Sequence, residues 1–191
     1  MTTTRRNFLG GAATTAAFLA APSVLRAAEP SGYQVPDRFQ PKMVRVKSGF
    51  APGELHIVTG RHYLYHMLGN GQAMRYGVAV GAEGLNFRGS ATVQRKVEWP
   101  SWRPTDAMIE REPEKYAKFA DGMEGGPNNP LGARAMYLYR NGRDTAYRIH
   151  GTPQPWSIGR SVSSGCIRLT NEHVIALYDQ VPIGTRVTVY S

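Results

Sequence analysis

Short apolar runs broken by turn residues set the pattern of this chain. Glu54 to Thr59 and His62 to Leu68 flank the pair Gly60-Arg61, and their alternation predicts a hairpin with Tyr63, Tyr65 and Met67 on one face, an aromatic stripe expected to pack in the core. Met43 to Lys47 and Gln72 to Val80 alternate in the same way and predict two more strands. Ala133 to Arg140 and Thr145 to Ile149 lie on either side of Asn141-Gly142, a dipeptide that accepts positive φ at both central positions of a tight turn, and so predict a second hairpin. Arg186 to Tyr190 predicts a closing strand. Helical periodicity is confined to two short stretches. One is Glu114 to Ala120, opened by Pro113 in the first turn; the other runs through Val174 to Gln180, capped by Thr170 or Asn171 and ended by Pro182 and Gly184. A mainly β fold with a few short helices follows.

The section from Pro100 to Leu131, with Gly125-Gly-Pro-Asn-Asn-Pro130 inside it, is long for a plain connection, which predicts a lid or a cleft wall. At 191 residues and 41% hydrophobic, with glycine and proline spread along its length, the chain suits one compact core. Its ends differ in character. Thr4-Arg5-Arg6-Asn7-Phe8-Leu9 is a twin-arginine pair followed by apolar residues; the mild apolar stretch Gly10 to Ala21 comes next, then small residues near Ala27 and Ala28. That order is the order of a Tat-type export signal over residues 1–28, and it predicts a periplasmic mature protein. No cysteine stands directly after the apolar stretch, and no later segment approaches the length of a membrane span, so stable insertion of the mature chain is not expected. Residues 29–41, with Pro30, Pro36 and Pro41, are expected to form a linker or an N-terminal arm, and residues 42–191 the one folded domain.

The formal charge of +9 falls to +6 once Arg5, Arg6 and Arg26 are set apart with the signal. A balance of that kind suits any polyanion, including a wall polymer bearing carboxylates, and there is no basic run of the type that binds nucleic acid.

An exported chain with one cysteine cannot make an internal disulfide, which leaves Cys166 as an inert buried thiol, an intermolecular disulfide partner or a nucleophile. Ser163, Ser164 and Gly165 precede it and permit a tight backbone in which the N–H groups of Ser164, Gly165 and Cys166 converge on a developing oxyanion. His150 ends a strand, where loop closure brings it toward the thiol as a base; spacing alone leaves a satisfied core histidine as the equal alternative. His56, His62, His66 and His173 lack zinc-ligand spacing, with His62 and His66 placed on one strand face, so no metal is expected. Of Trp99, Trp102 and Trp156, only Trp156 lies in the loop between histidine and cysteine.

His150-Gly151-Thr152, the loop Pro153 to Val162, and Ser163-Ser164-Gly165-Cys166-Ile167-Arg168 together resemble the L,D-transpeptidase family, the YkuD-like or ErfK/YbiS-like catalytic domain. Ser164 stands where many members have a second histidine. Gly84 to Ala91 replaces the family's Thr-Pro-Thr-Gly segment, and Trp99-Pro-Ser-Trp-Arg-Pro104 is similar to its tryptophan-proline stretch. The resemblance implies a β-sandwich-like domain of mixed sheets, Cys166 as nucleophile, His150 as base, and Gly151, Ser163, Arg168 and Trp156 orienting or binding substrate, with Arg168 toward a carboxylate and no cofactor. Its implied reaction joins a donor tetrapeptide stem of peptidoglycan to an acceptor amine through a thioester, releasing D-alanine and leaving a 3→3 cross-link. Water as acceptor would make an L,D-carboxypeptidase, and an outer-membrane protein as acceptor would be attached to the wall. A non-catalytic wall-binding module and a peptidase of proteins are the readings from other classes.

Overall fold

The computed structural model describes residues 32–190, so the expected export signal lies outside the described residues. The strands are β1 (Lys42–Arg45), β2 (Leu55–Val58), β3 (Tyr63–Gly69), β4 (Gln72–Gly77), β5 (Val80–Gly81) and β6 (Gly89–Glu98), followed by helices α1 (Asp106–Arg111) and α2 (Pro113–Tyr116). After these come β7 (Arg134–Arg140), β8 (Arg143–His150), β9 (Ser161–Ser163), β10 (Ile167–Arg168), α3 (Asn171–Gln180) and β11 (Arg186–Tyr190).

Nine strands form one mixed sheet in the order β1-β4-β3-β2-β11-β6-β7-β8-β10, while β5 and β9 pair separately. Only β2–β11 and β8–β10 are parallel within the large sheet. The sheet curls until Ala79, just past β4, bridges Arg168 on β10, exchanging two hydrogen bonds of 2.9 Å. One core fills the interior, in which Leu55, Ile57 and Leu64 from one half meet Met136, Leu138 and Ile149 from the other, with Val174 and Leu177 of α3 closing it. The architecture is mainly β, a mixed sheet with a few short helices.

Of the anticipated β3 stripe only Met67 is buried; the two tyrosines face away from the main core. Leu64 and His66 point inward because they pair with Ile57 and Leu55, whereas Tyr63 and Tyr65 stay half-exposed and Arg75 stacks over Tyr63 at 4.2 Å. Cross-strand partners share a face, so the apolar pair on β2 fixes the inward parity of β3. His62 is not on the strand at all: Thr59–Arg61 is a 3-10 turn and His62 follows it in the left-handed region at φ 59. The expected strand Gln72 to Val80 divides into β4 and β5.

Residues 33–41 form an arm packed on the domain. Phe39 seats its side chain where Gly77 and Gly159 leave room; a Cβ at either glycine would collide with it. Val35, Ala79 and Ile158 complete this small second cluster.

Candidate active site

The site begins with a register. Ile167 pairs with Ile149 and Arg168 with His150 across the parallel β8–β10 ladder, and both isoleucines enter the core. Side chains alternate along a strand, so His150, Arg168 and Cys166 fall on the opposite face. That face floors a cleft of about 490 Å³.

His150 is only 3% exposed, and its Nδ1 lies 2.5 Å from Gly151 O. A carbonyl can only accept, so Nδ1 carries the hydrogen and Nε2 keeps the lone pair. Burial, and then the Arg168 charge, push the imidazole pKa down to about 3 against the weaker pull of the Gly151 and Leu131 carbonyls. Burial also raises the Cys166 thiol, opposed by the Arg148 backbone N–H and the charges of Arg148 and Arg168. Both shifts favour the uncharged forms, so the resting site holds a thiol and a neutral imidazole rather than an ion pair.

Cys166 Sγ donates to Ala146 O at 3.8 Å, and no hydrogen bond joins it to His150 among the described residues. Ala146 has φ 61, uncommon for a residue with a Cβ. Asp144 holds this kink, accepting from Ala146 N at 2.8 Å and gripping the Arg148 guanidinium at 2.6 and 2.8 Å, where the β7–β8 ladder slips register.

Before the cysteine, Ser163 Oγ donates to Cys166 O at 2.6 Å and accepts the Gly165 N–H at 3.1 Å. Gly165 sits at φ +120 with Leu85 O 2.6 Å from where a Cβ would be and the Tyr147 ring closer still, so only glycine fits. The Gly165 N–H is therefore spent inside the turn. The N–H groups of Ser164 and Cys166 meet no backbone acceptor among the described residues.

Gly151 is a spacer of another kind. Asn171, at the start of α3, presses its Oδ1 between Gly132 and Gly151 and accepts from Ala133 N at 2.9 Å, fixing the strand ends that carry His150. Thr170 caps the same helix through His173 N at 3.1 Å.

Of the site residues singled out from sequence, His150, Trp156, Ser163, Ser164, Cys166 and Arg168 line the cleft, and Gly151 and Gly165 lie buried behind it. Residues 102–131 supply the facing wall through Trp102, Tyr116, Phe119 and Met123. Trp102 bridges Met123 and packs on Tyr116 and Phe119 with ring centroids 6.3 and 5.6 Å apart. Sequence reasoning missed Asp144, Ala146, Arg160 and Asn171; only Asn171 left a signal, its position at the start of a helix. The other histidines lie apart from the cleft, His56 between Tyr190 and Glu54 at 2.9 and 3.0 Å and His62 on Ser161 at 3.0 Å. No group of three or more His, Cys, Asp or Glu suited to a metal occurs among the described residues.

Comparison with known proteins places this geometry. The model of the YkuD family, described as the L,D-transpeptidase catalytic domain, matches residues 52–189. YqjB of Bacillus subtilis, named as an L,D-transpeptidase, is 34% identical over 143 residues, covering 72% of each chain. A Fuscovulum blasticum protein named as an L,D-transpeptidase is 43% identical over 108 residues, 56% of this chain and 52% of that one. ErfK/SrfK of Escherichia coli is 44% identical over 102 residues, but these make up only 30% of its length. This chain thus spans about half, or less, of the first curated relatives it matches. Among solved structures, a Brucella melitensis protein described as a carnitine operon oxidoreductase is 50% identical, with a TM-score of 0.56 over 82% of this chain and 96% of that one. Its description stands apart from the family model and the curated relatives, which agree with one another. The Mycobacterium smegmatis L,D-transpeptidase shares the fold at a TM-score of 0.50 and 18% identity, over 72% of this chain and 58% of that one.

Proposed function

Since the chain belongs to the L,D-transpeptidase catalytic-domain family, we propose that it is an exported acyltransferase of peptidoglycan stems, working through Cys166 with His150 as base. The observation that carries this reading is the β8–β10 register, which pairs His150 with Arg168 two residues beyond Cys166, with all three lining one cleft.

The donor is a tetrapeptide stem whose third residue, a diamino acid, presents an L-centre to the terminal D-alanine. Cys166 Sγ attacks the carbonyl carbon between them while its proton moves to His150 Nε2. Because both resting groups are neutral, proton transfer accompanies carbon–sulfur bond formation rather than preceding it. The carbonyl oxygen gains the negative charge and meets the free N–H groups of Ser164 and Cys166. The carbon–nitrogen bond then breaks, the imidazolium returns its proton to the departing amine, D-alanine leaves, and a thioester remains. The side-chain amine of a second stem attacks that thioester through its lone pair, His150 takes a proton from it, and the thiol is restored as the 3→3 amide forms. Arg168 holds a donor carboxylate near the reacting bond.

Intact mass spectrometry tests the reading. Incubated with disaccharide-tetrapeptide, the protein gains a Cys166-dependent acyl mass minus D-alanine, and Cys166→Ala gains none; an unmodified protein beside intact substrate, or substrate consumed equally by Cys166→Ala, sinks the proposal. The product then identifies the acceptor, a cross-linked dimer from an amine, a tripeptide from water, or an adduct on a protein.

A further inference from the structure

Three arginines lie half-buried in the β7–β10 region, and two are neutralised. Arg134 meets Glu98 at 3.1 Å, and Arg148 meets Asp144 at 2.6 Å. Arg168 has no such partner: its Nε is buried without a hydrogen bond, and its guanidinium enters no ion pair among the described residues. A cation partly withdrawn from water, with no counter-charge and its open end toward a cleft, favours an anion there.

The cleft around it repeats the asymmetry. Its lining carries Lys115, Arg160 and Arg168, and neither aspartate nor glutamate. Lys115 is already engaged by Glu112 at 3.1 Å and lies over the Tyr116 ring at 4.7 Å. Arg160 is exposed, and its side chain makes no hydrogen bond or ion pair among the described residues. Two uncompensated guanidinium groups therefore face one cavity.

Resting on the transpeptidase reading, we propose that Arg160 is a second carboxylate-binding residue, and that the cleft selects stems with free carboxylates over stems in which a carboxylate is amidated. Arg168 lies two positions beyond the sulfur on β10 and addresses the carboxylate nearest the reacting bond. Arg160 stands at the far end of β9, roughly 10 Å along the strand from Ser163, and addresses one further back in the stem. Arg160 has a firm mount: its N–H donates to Ser157 O at 3.1 Å, its carbonyl accepts from Val80 at 3.0 Å, and Ser157 Oγ ties the loop to Gln154 O at 2.7 Å. Amidation turns a charge-assisted pair into a neutral one and leaves the guanidinium unmatched.

Calorimetric titration of the Cys166→Ala protein tests this without turnover. The ligands are a tetrapeptide stem with all carboxylates free and versions amidated at one carboxylate at a time. Amidation is expected to weaken binding roughly ten- to hundredfold at the positions the two arginines read. Arg160→Gln removes the penalty for one amide and leaves the other, Arg160→Lys restores part of it, and raised salt shrinks both. Equal binding of free and amidated stems, or a penalty untouched by Arg160→Gln, overturns the proposal. The same stems given to the unmodified protein separate the two readings. Charge-selective binding with no acyl adduct overturns the transferase and keeps the anion site; an adduct formed equally from free and amidated stems overturns the site and keeps the transferase.

Discussion

The floor and the facing wall of the cleft are held by different means. On the floor, every reactive group stands on sheet or on a turn with no spare space: Asn171 wedges between Gly132 and Gly151, Ser163 spans the turn before Cys166, and the Tyr147 ring closes on Gly165. The wall, residues 102–131, is bonded mainly to itself. Trp102 and Met123 exchange hydrogen bonds of 2.7 and 2.8 Å, Arg103 reaches Ala120 O, and Asn129 binds the carbonyls of Met123 and Glu124. Its side-chain reach toward the turn before Cys166 is the weak contact of Arg111 with Ser164 at 3.4 Å. Bond-making thus sits where positions are over-determined, whereas the wall beside it is tied mainly to itself.

The largest expected break in that contrast is His150→Gln. Glutamine offers hydrogen bonds but no basic nitrogen, so acylation should drop by about 10²–10⁴, read as the rate of adduct formation, with stem binding kept. An equal loss of binding would mean that the imidazole orders the floor instead of moving a proton.

Acid pH probes the same burial through stability. The folded imidazole titrates near 3 against 6.5 when free, so the unfolded chain binds more protons between those values. Stability is therefore intact above pH 6.5 and is lost progressively as pH falls toward 3, by several kcal/mol at the acid end. Burial lowers His66 and His173 in the same direction. Melting temperatures across that range should decline, and His150→Gln should flatten the decline; an unchanged slope would show that the buried imidazole is not its source. The kcat/KM profile should likewise lack an acid limb near 6.5, as expected for a base kept neutral.

Asn171→Ala acts on the floor's scaffold. It strands the buried Ala133 N–H and opens the gap between two glycines, which costs about 1–3 kcal/mol. Chemical denaturation should show that loss together with slower acylation. A loss of stability with no change in rate would detach the wedge from the placing of His150.

Much of this was legible in the chain because local signals and tertiary needs agreed. Asn141-Gly142 gave its hairpin, Thr170 its cap, and Pro113 its helix start, each through backbone chemistry that any context respects. The ten residues of β6 were not legible, because Arg95 and Lys96 occupy strand positions while stacking on Tyr137 and Tyr178, contacts that exist only once the sheet has formed. β9 and β10, at three and two residues, are too short to carry a period and are defined by their partners. Within the site, His150 and Cys166 stood out by residue type. The Ala146 kink and the unpaired state of Arg168 did not, since both depend on what stands opposite them.

Trp102→Ala is the mildest change and addresses the wall alone. The indole packs on Tyr116 and Phe119 of its own segment and lines the cleft, but contributes nothing to the β8–β10 ladder. Its loss should loosen residues 102–131 locally, so KM for the donor stem should rise several-fold, limited proteolysis within that segment should quicken, and the main melting transition should move little. Acylation at saturating stem should stay within about twofold, because sulfur, imidazole and the turn before Cys166 keep their places. If kcat falls as far as KM rises, the wall helps to align the reacting atoms, and the division of labour drawn between the two sides of the cleft fails.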